Sequence, residues 1–435
     1  MNKIHFENLQ ETLYNETLEN GLDVYILPKK GFSKTFVTFT TKYGSVDRTF
    51  IPHGKEEAVT VPDGIAHFLE HKMFEKEEGD IFQKFSVLGG SANAFTSFTR
   101  TAYLFSATDK VYDNTEVLLD FVQEPYFTEE TVEKEKGIIG QEITMYDDLP
   151  DWRLYFGAIE NLYHNHPVKI DIAGTIESID KITAAHLYEC YETFYHPSNM
   201  VLFVVGAVEP EEMMTFIKEN QSKKTFDKPS EIVRNFPEEP NTAAIAERTL
   251  EMDVTKPKLS FGMKCTNTNI SGKEMLTQEL AVDLLLDILF GRSSSFFEES
   301  YEDGLIDESY SYSFSQEHGF GFAMIVSDTE NPDALEAKIR KTIEDATTSW
   351  AVTEEELERV RKRKIGQFMR SLNSIEFIAN QFTRYKFNEM DLFDVVPTLE
   401  KMTLTHLKDA FSTLSATEGH TVFKVIPAEQ SNEAK

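Results

Sequence analysis

His67 and His71 stand four residues apart, with Glu70 between them, in the stretch HFLEH. On a helix that spacing is about one turn, so both imidazoles project from one face and can meet a single metal ion. Glu70 falls on the same side, close enough to act on a water held by such an ion without being a ligand itself. HxxEH is the inverse of the HExxH arrangement of zinc peptidases. Zinc bound by two helical histidines usually takes a carboxylate as its third protein ligand and leaves the fourth position open. Candidates lie in EKEKGIIGQEITMYDD, a second helical pattern, where Glu135 and Glu142 sit two turns apart along one face. Glu133, Asp147 and Asp148 compete, and spacing does not choose among them.

The elements that must position these groups can be read around them. Pro62 and Asp63 precede the histidine helix, Asp63 as its expected N-cap, and Ile65, Phe68, Leu69 and Met73 follow at helical spacing. Upstream, TFVTFTT (35–41) alternates like a half-buried strand, and MVLFVV (200–205) is a continuous apolar run suited to a covered one. The stretch 221–241, with Pro229, Pro237 and Pro240 among charges, reads as an extended linker. Beyond it the order recurs. RTLEMDV and KLSFGMKC are expected strands, and KEMLTQELAVDLLLDILFG is a helix with Leu276, Leu280, Leu284 and Ile288 on one face and Gly291 as its stop. SYSYSF and GFAMIV follow as strands, and then two long helices, the second opened by a capping box of Thr353 and Glu356. HTVFKVI (420–426) takes the place that MVLFVV holds earlier. The expected fold is α+β: two copies of one unit, each a mainly antiparallel sheet packed with helices. The expected division is 1–222, a linker over 223–243, and 244–435.

Composition narrows the classes. At 435 residues the chain can build two or three cores, and 40% hydrophobic with 27% charged residues describes a folded protein. The formal charge of −31 argues against a nucleic-acid partner, since phosphates need a basic face. The one basic run, RVRKRK (359–364), reads as the solvated end of a helix. The first residues have no apolar leader core and no later run reaches membrane-spanning length, so a cytoplasmic chain without membrane partners is expected. Cys190 and Cys265 are too few and too separate for a disulfide framework, and are expected as buried thiols.

Four blocks in order, HFLEHKMFE, GGSANAFTSFTRTAYLF (89–105), EKEKGIIGQE and the stretch 166–208, resemble the M16 metallopeptidases, the family of pitrilysin, insulin-degrading enzyme and mitochondrial processing peptidase. Within it the chain is most similar to bacterial YmfH-like zinc subunits. The resemblance implies two homologous domains of the LuxS/mitochondrial-processing-peptidase-like metallohydrolase fold, with Zn2+ held by His67, His71 and Glu142. It implies Glu70 as general base and Glu135 as a supporting acid beside the metal. In SANAFTS it implies an exposed edge strand that extends onto substrate, with backbone groups around Asn93 and Ala94 bonding peptide main chain.

The second half departs from the family pattern. Active single-chain members carry an Arg and a Tyr, in a stretch like LREKxGLAY, that hold substrate and polarise its carbonyl. Here, aligned on Gly304 and Leu305, Asp307 stands at the Tyr position, and Ser300 or Tyr301 at the Arg position. A carboxylate would repel a developing oxyanion. Tyr310, Tyr312 and Arg292 are nearby substitutes to consider. The expected function is therefore a zinc-dependent metalloendopeptidase subunit for small or unfolded peptides, using zinc-activated water and Glu70. It would need a partner, a heterodimeric M16 paralogue with the Arg/Tyr pair, or a second copy. The alternative is a non-catalytic peptide-binding or scaffolding relative.

Overall fold

The computed structural model describes residues 1–7 and 9–428. They form two compact α+β units, each gathered from separated parts of the chain. One takes 1–143, 170–236 and 370–387, the other 144–169, 237–369 and the described residues from 388 onward.

In the first unit seven strands, β1 (Asn2–Phe6), β2 (Glu11–Thr17), β3 (Asp23–Pro28), β4 (Thr35–Thr41), β5 (Ser91–Thr96), β6 (Thr101–Ala107) and β7 (Met200–Gly206), form a sheet in the order β1-β2-β3-β7-β4-β6-β5. In the second, β8 (Glu247–Met252), β9 (Lys258–Lys264), β10 (Ser311–Glu317), β11 (Phe320–Asp328) and β12 (His420–Pro427) form a sheet in the order β8-β12-β9-β11-β10. The helices include, in chain order, α1 (Ile65–Met73), α2 (Val111–Gln123), α3 (Glu129–Asp147), α4 (Pro150–Leu162), α5 (Gly272–Phe290), α6 (Pro332–Ser349), α7 (Glu354–Ser371) and α8 (Ile375–Phe387). None among the described residues is long and apolar enough to cross a membrane.

The apolar run β7 is buried throughout, as its composition requires. TFVTFTT differs from its expected half-buried state: every residue of β4 is buried. Thr38 pairs in register with Phe203, and Phe203 with Tyr25, so the three side chains share a face. On that face Phe382 of α8 stacks on Phe203, with ring centroids 4.5 Å apart, and meets Tyr25 at 4.8 Å. On the other, Phe39 pairs with Tyr103, whose ring meets Phe121 of α2 at 5.7 Å. The threonines therefore face a helix delivered from far along the chain, and local alternation could not reveal that cover.

The second unit receives a helix in the same manner. Helix α4 follows α3 directly in sequence but packs on β12 and β9. Gly157 makes this possible, since a Cβ there would lie 2.3 Å from the Phe423 ring. These two helices, α4 and α8, are why the compact units are not the contiguous segments 1–222 and 244–435. The stretch 223–243 carries no helix and no named strand, as expected of a linker, but it is anchored by its side chains. Arg234 pairs with buried Asp47 at 2.8 Å in the first unit. In the second, Glu239 accepts backbone N–H bonds from His164, Asn165 and His166 at 2.7–2.9 Å.

Two further expectations on the second half change. Helix α5 buries Met275, Val282 and Leu285 as well as the expected Leu276, Leu280, Leu284 and Ile288, so it is covered nearly all round. The basic run is not simply solvated. Arg363 pairs with buried Asp287, Lys364 with Asp283 at 2.6 Å, and Arg361 donates to the Met402 carbonyl at 3.1 Å. Asp283 and Asp287 lie one turn apart on α5, and the run braces α7 against them. The capping box forms as expected, Thr353 N–H to Glu356 at 2.9 Å and the return bond at 3.2 Å.

Both cysteines are buried and unbridged. His166, 3% exposed, has its pKa pushed down to about 4, chiefly by burial. Its neutral form is therefore preferred in the fold. Stability from this group is complete above the unfolded value near 6.5 and is lost as pH falls from there towards 4, by about 2 kcal/mol at pH 5. His166→Asn keeps an acceptor for the Val168 N–H, now bonded to Nδ1 at 3.1 Å. In urea unfolding at pH 7 and pH 5 this variant is expected to lose about 2 kcal/mol less between the two than the parent chain.

Candidate metal centre

Helix α1 begins at Ile65, after Gly64, and most of its residues are buried. Gly64, not the expected Asp63, occupies the N-cap, with φ of 88° and no side-chain capping bond. Asp63 is turned to Arg48 at 3.1 Å. The entry needs a left-handed residue that passes close to Ala173, where a Cβ would come 2.3 Å from the carbonyl oxygen. Gly64→Ala is expected to destabilise the protein by about 2 kcal/mol or more, read as a lowered denaturation midpoint.

From that entry His67 and His71 leave one face of α1, with ring centroids 4.6 Å apart. Glu142 approaches both from α3: its Oε2 lies 3.8 Å from His67 Nε2 and 3.6 Å from His71 Nε2. One ligand atom from each of the three falls within 4.8 Å of the others. Of the acids that spacing left open, Glu142 is the one that joins the histidines. Glu135 does something else: its Oε1 is 3.0 Å from His71 Nδ1. An ionised carboxylate only accepts, so Nδ1 donates, and in the neutral ring that metal binding requires Nε2 carries the lone pair, on the side of Glu142.

Glu70 is buried at 8% exposure, and Thr96 Oγ1 donates to its Oε2 at 2.6 Å. Burial pushes its pKa up to about 7 against the pull of that hydrogen bond. Burial also drives His67 down to about 4, with His71 adding to the effect. His71 is shifted upward: burial alone would lower it, but the Glu135 hydrogen bond and the charges of Glu70, Glu135 and Glu142 prevail.

These groups suit a divalent cation. Ligands about 2.0–2.1 Å from a tetrahedral zinc lie about 3.3 Å apart, near the 3.6 and 3.8 Å from the histidines to Glu142. The gaps from the histidines to Glu142 exceed hydrogen-bond length, so the three converge without bonding one another. His67 stays a neutral donor, its Nδ1 buried without a hydrogen-bond partner. Two imidazoles and one carboxylate form the donor set of a three-ligand zinc site.

Asn93 and Ala94 lie on β5, the outer strand of the sheet at that edge. The Ala94 N–H is taken by the Asn93 side chain at 2.9 Å instead of by a neighbouring strand. The same strand ends at Thr96, which sequence reasoning passed over. Its signal was available: two residues beyond Ala94, a hydroxyl returns to the same face of the strand. In the second unit, the Tyr310 hydroxyl donates to the Phe290 carbonyl at 2.8 Å and Tyr312 to Asp287 at 2.6 Å. Asp307 pairs with Lys256 at 2.7 Å and is held at about 2: burial alone would raise it, but the bonds from Lys256 and Ser309 and the charge of Lys256 together prevail.

Two family models match the chain. Insulinase (Peptidase family M16) covers residues 50–176, and Peptidase M16 inactive domain covers 181–364. The protein belongs to peptidase family M16, and its two-unit α+β fold is that of the family's solved members. Among relatives, the uncharacterized zinc protease YmfH of Bacillus subtilis is 58% identical over 424 residues, spanning 98% of this chain and 99% of the relative. A crystal structure of a putative M16-like peptidase from Alicyclobacillus acidocaldarius superposes with a TM-score of 0.93 at 39% identity, over 96% of this chain and 99% of that one. Pitrilysin shares the fold at 16% identity and a TM-score of 0.73, covering all of this chain but 46% of its own.

Proposed function

We propose that the chain is the zinc-bearing subunit of a metalloendopeptidase that hydrolyses small or unfolded peptides. The observation that carries this reading is the convergence of His67, His71 and Glu142 within 4.8 Å, with buried Glu70 on the same helix. Zinc at such a site supplies Lewis acidity to a scissile carbonyl and makes water a nucleophile at neutral pH. Glu70 takes the water's proton and returns it to the leaving amine nitrogen, so no covalent intermediate is needed. A carboxyl near 7 can both accept and release a proton at neutrality. Thr96 holds the Glu70 oxygen in place, and Glu135 orients the His71 ring.

Substrate is bound as an added strand on the free edge of β5. The Ala94 N–H, now satisfied by Asn93, is handed to a peptide carbonyl. Main-chain recognition of this kind admits extended peptides of many sequences and rejects folded ones.

A partner completes the enzyme. In sequence the second half carries a carboxylate, Asp307, at the position the family gives to its Tyr, and the hydroxyls of Tyr310 and Tyr312 are already committed. The partner is an M16 chain with the Arg/Tyr pair. The purified chain is expected to contain one zinc yet cleave a quenched-fluorescent peptide at least about 100-fold more slowly than with its partner, the scale of one lost oxyanion donor. Fast cleavage by the chain alone would count against this division of labour.

A further inference from the structure

Lys72, next to His71 on α1, is fully buried, and the chemistry proposed above does not use it. A buried ammonium is costly unless paired, and a methionine of similar length would fill the space without that cost. Its partners therefore matter. Nζ bonds the Glu75 carboxylate and, at 3.3 Å, the Thr131 carbonyl oxygen. Thr131 lies in the first turn of α3, where Thr128 and Thr131 exchange side-chain-to-backbone bonds, each at 3.2 Å. By helical geometry its carbonyl also accepts the amide of Glu135, four residues on. Glu135 in turn holds His71 Nδ1 at 3.0 Å. Two consecutive residues of α1 thus grip successive turns of α3: Lys72 at Thr131 and His71 at Glu135. The same α3 carries Glu142.

We infer that Lys72 is a positioning residue that fixes the register of α1 against α3 and so sets the imidazoles at ligating distance from Glu142, an inference that rests on the metal-site reading. The experiment compares the full chain with Lys72→Met and Glu75→Ala. Zn2+ affinity is measured by competition with a chromophoric chelator. The hydrogen-bonded His71 ring proton is followed by NMR on histidine-labelled protein stripped of metal. Lys72→Met is expected to bind Zn2+ about 10–100-fold more weakly, the usual effect of losing a residue that orients ligands. It should also lose the protected ring proton. Glu75→Ala, at a side chain one-third exposed, is expected to show a smaller loss of affinity in the same direction. A lower melting temperature with Zn2+ affinity within about twofold of the parent and an unchanged ring proton overturns the inference, because that is what support of the fold alone produces. If Lys72→Met does not fold, Glu75→Ala decides by the same two readouts. If the parent chain itself binds no Zn2+, the metal-site reading fails, and the ring proton alone judges the register.

Discussion

Glu70→Gln is expected to keep zinc at one equivalent while peptide hydrolysis by the assembled enzyme falls about 10³-fold, the scale of a lost general base. The amide matches the carboxyl in shape, and Thr96 can still donate to its oxygen, so the buried site keeps its packing. What disappears is a group that can accept a proton. Steady-state turnover with metal content measured on the same preparation checks this. A Gln variant that cleaves at the parent rate would remove Glu70 from the chemistry. The result also separates the enzyme from the scaffolding alternative, in which neither parent nor variant turns substrate over while both bind peptide.

Replacing His67 by Ala has the second large expected effect. The proposed site has three protein ligands, and removing one is expected to weaken zinc on the order of 10³-fold, taking roughly a third of a binding energy of about 12 kcal/mol. Alanine suits the interior of α1, so the fold is retained. The thermal stabilisation that added Zn2+ gives the parent chain should vanish in the variant, because a ligand stabilises only the state it binds. Zinc that remains stoichiometric in His67→Ala would place the metal elsewhere.

Much of the site was legible because it is local. The turn spacing of His67, Glu70 and His71 set one face of one helix, and that face is where they lie. The acid from α3 was harder. Glu135 and Glu142 share a helix face, and periodicity alone cannot say which reaches the histidines. The answer depends on the height of α3 against α1, a tertiary quantity held in part by the buried contact of Lys72 with Thr131. Strand alternation places Thr96 on the face of Ala94, but the hydroxyl acquires its role only when Glu70 is packed over it. At the scale of the fold, the seven strand segments expected from hydrophobic runs all form, whereas β1 to β3, the order of strands in each sheet and the places of α4 and α8 were not legible. Each packs on a sheet whose strands come mostly from the other half of the chain, so the burial of Thr38 and the place of Gly157 answer to contacts between distant segments.

Anomalous diffraction at the zinc edge from crystals of the native chain tests the metal site most directly. The expected map has one strong peak about 2.0–2.2 Å from a nitrogen of His67, a nitrogen of His71 and an oxygen of Glu142. A zinc peak bonded to other residues, or no peak in protein grown with ample zinc, would contradict the account.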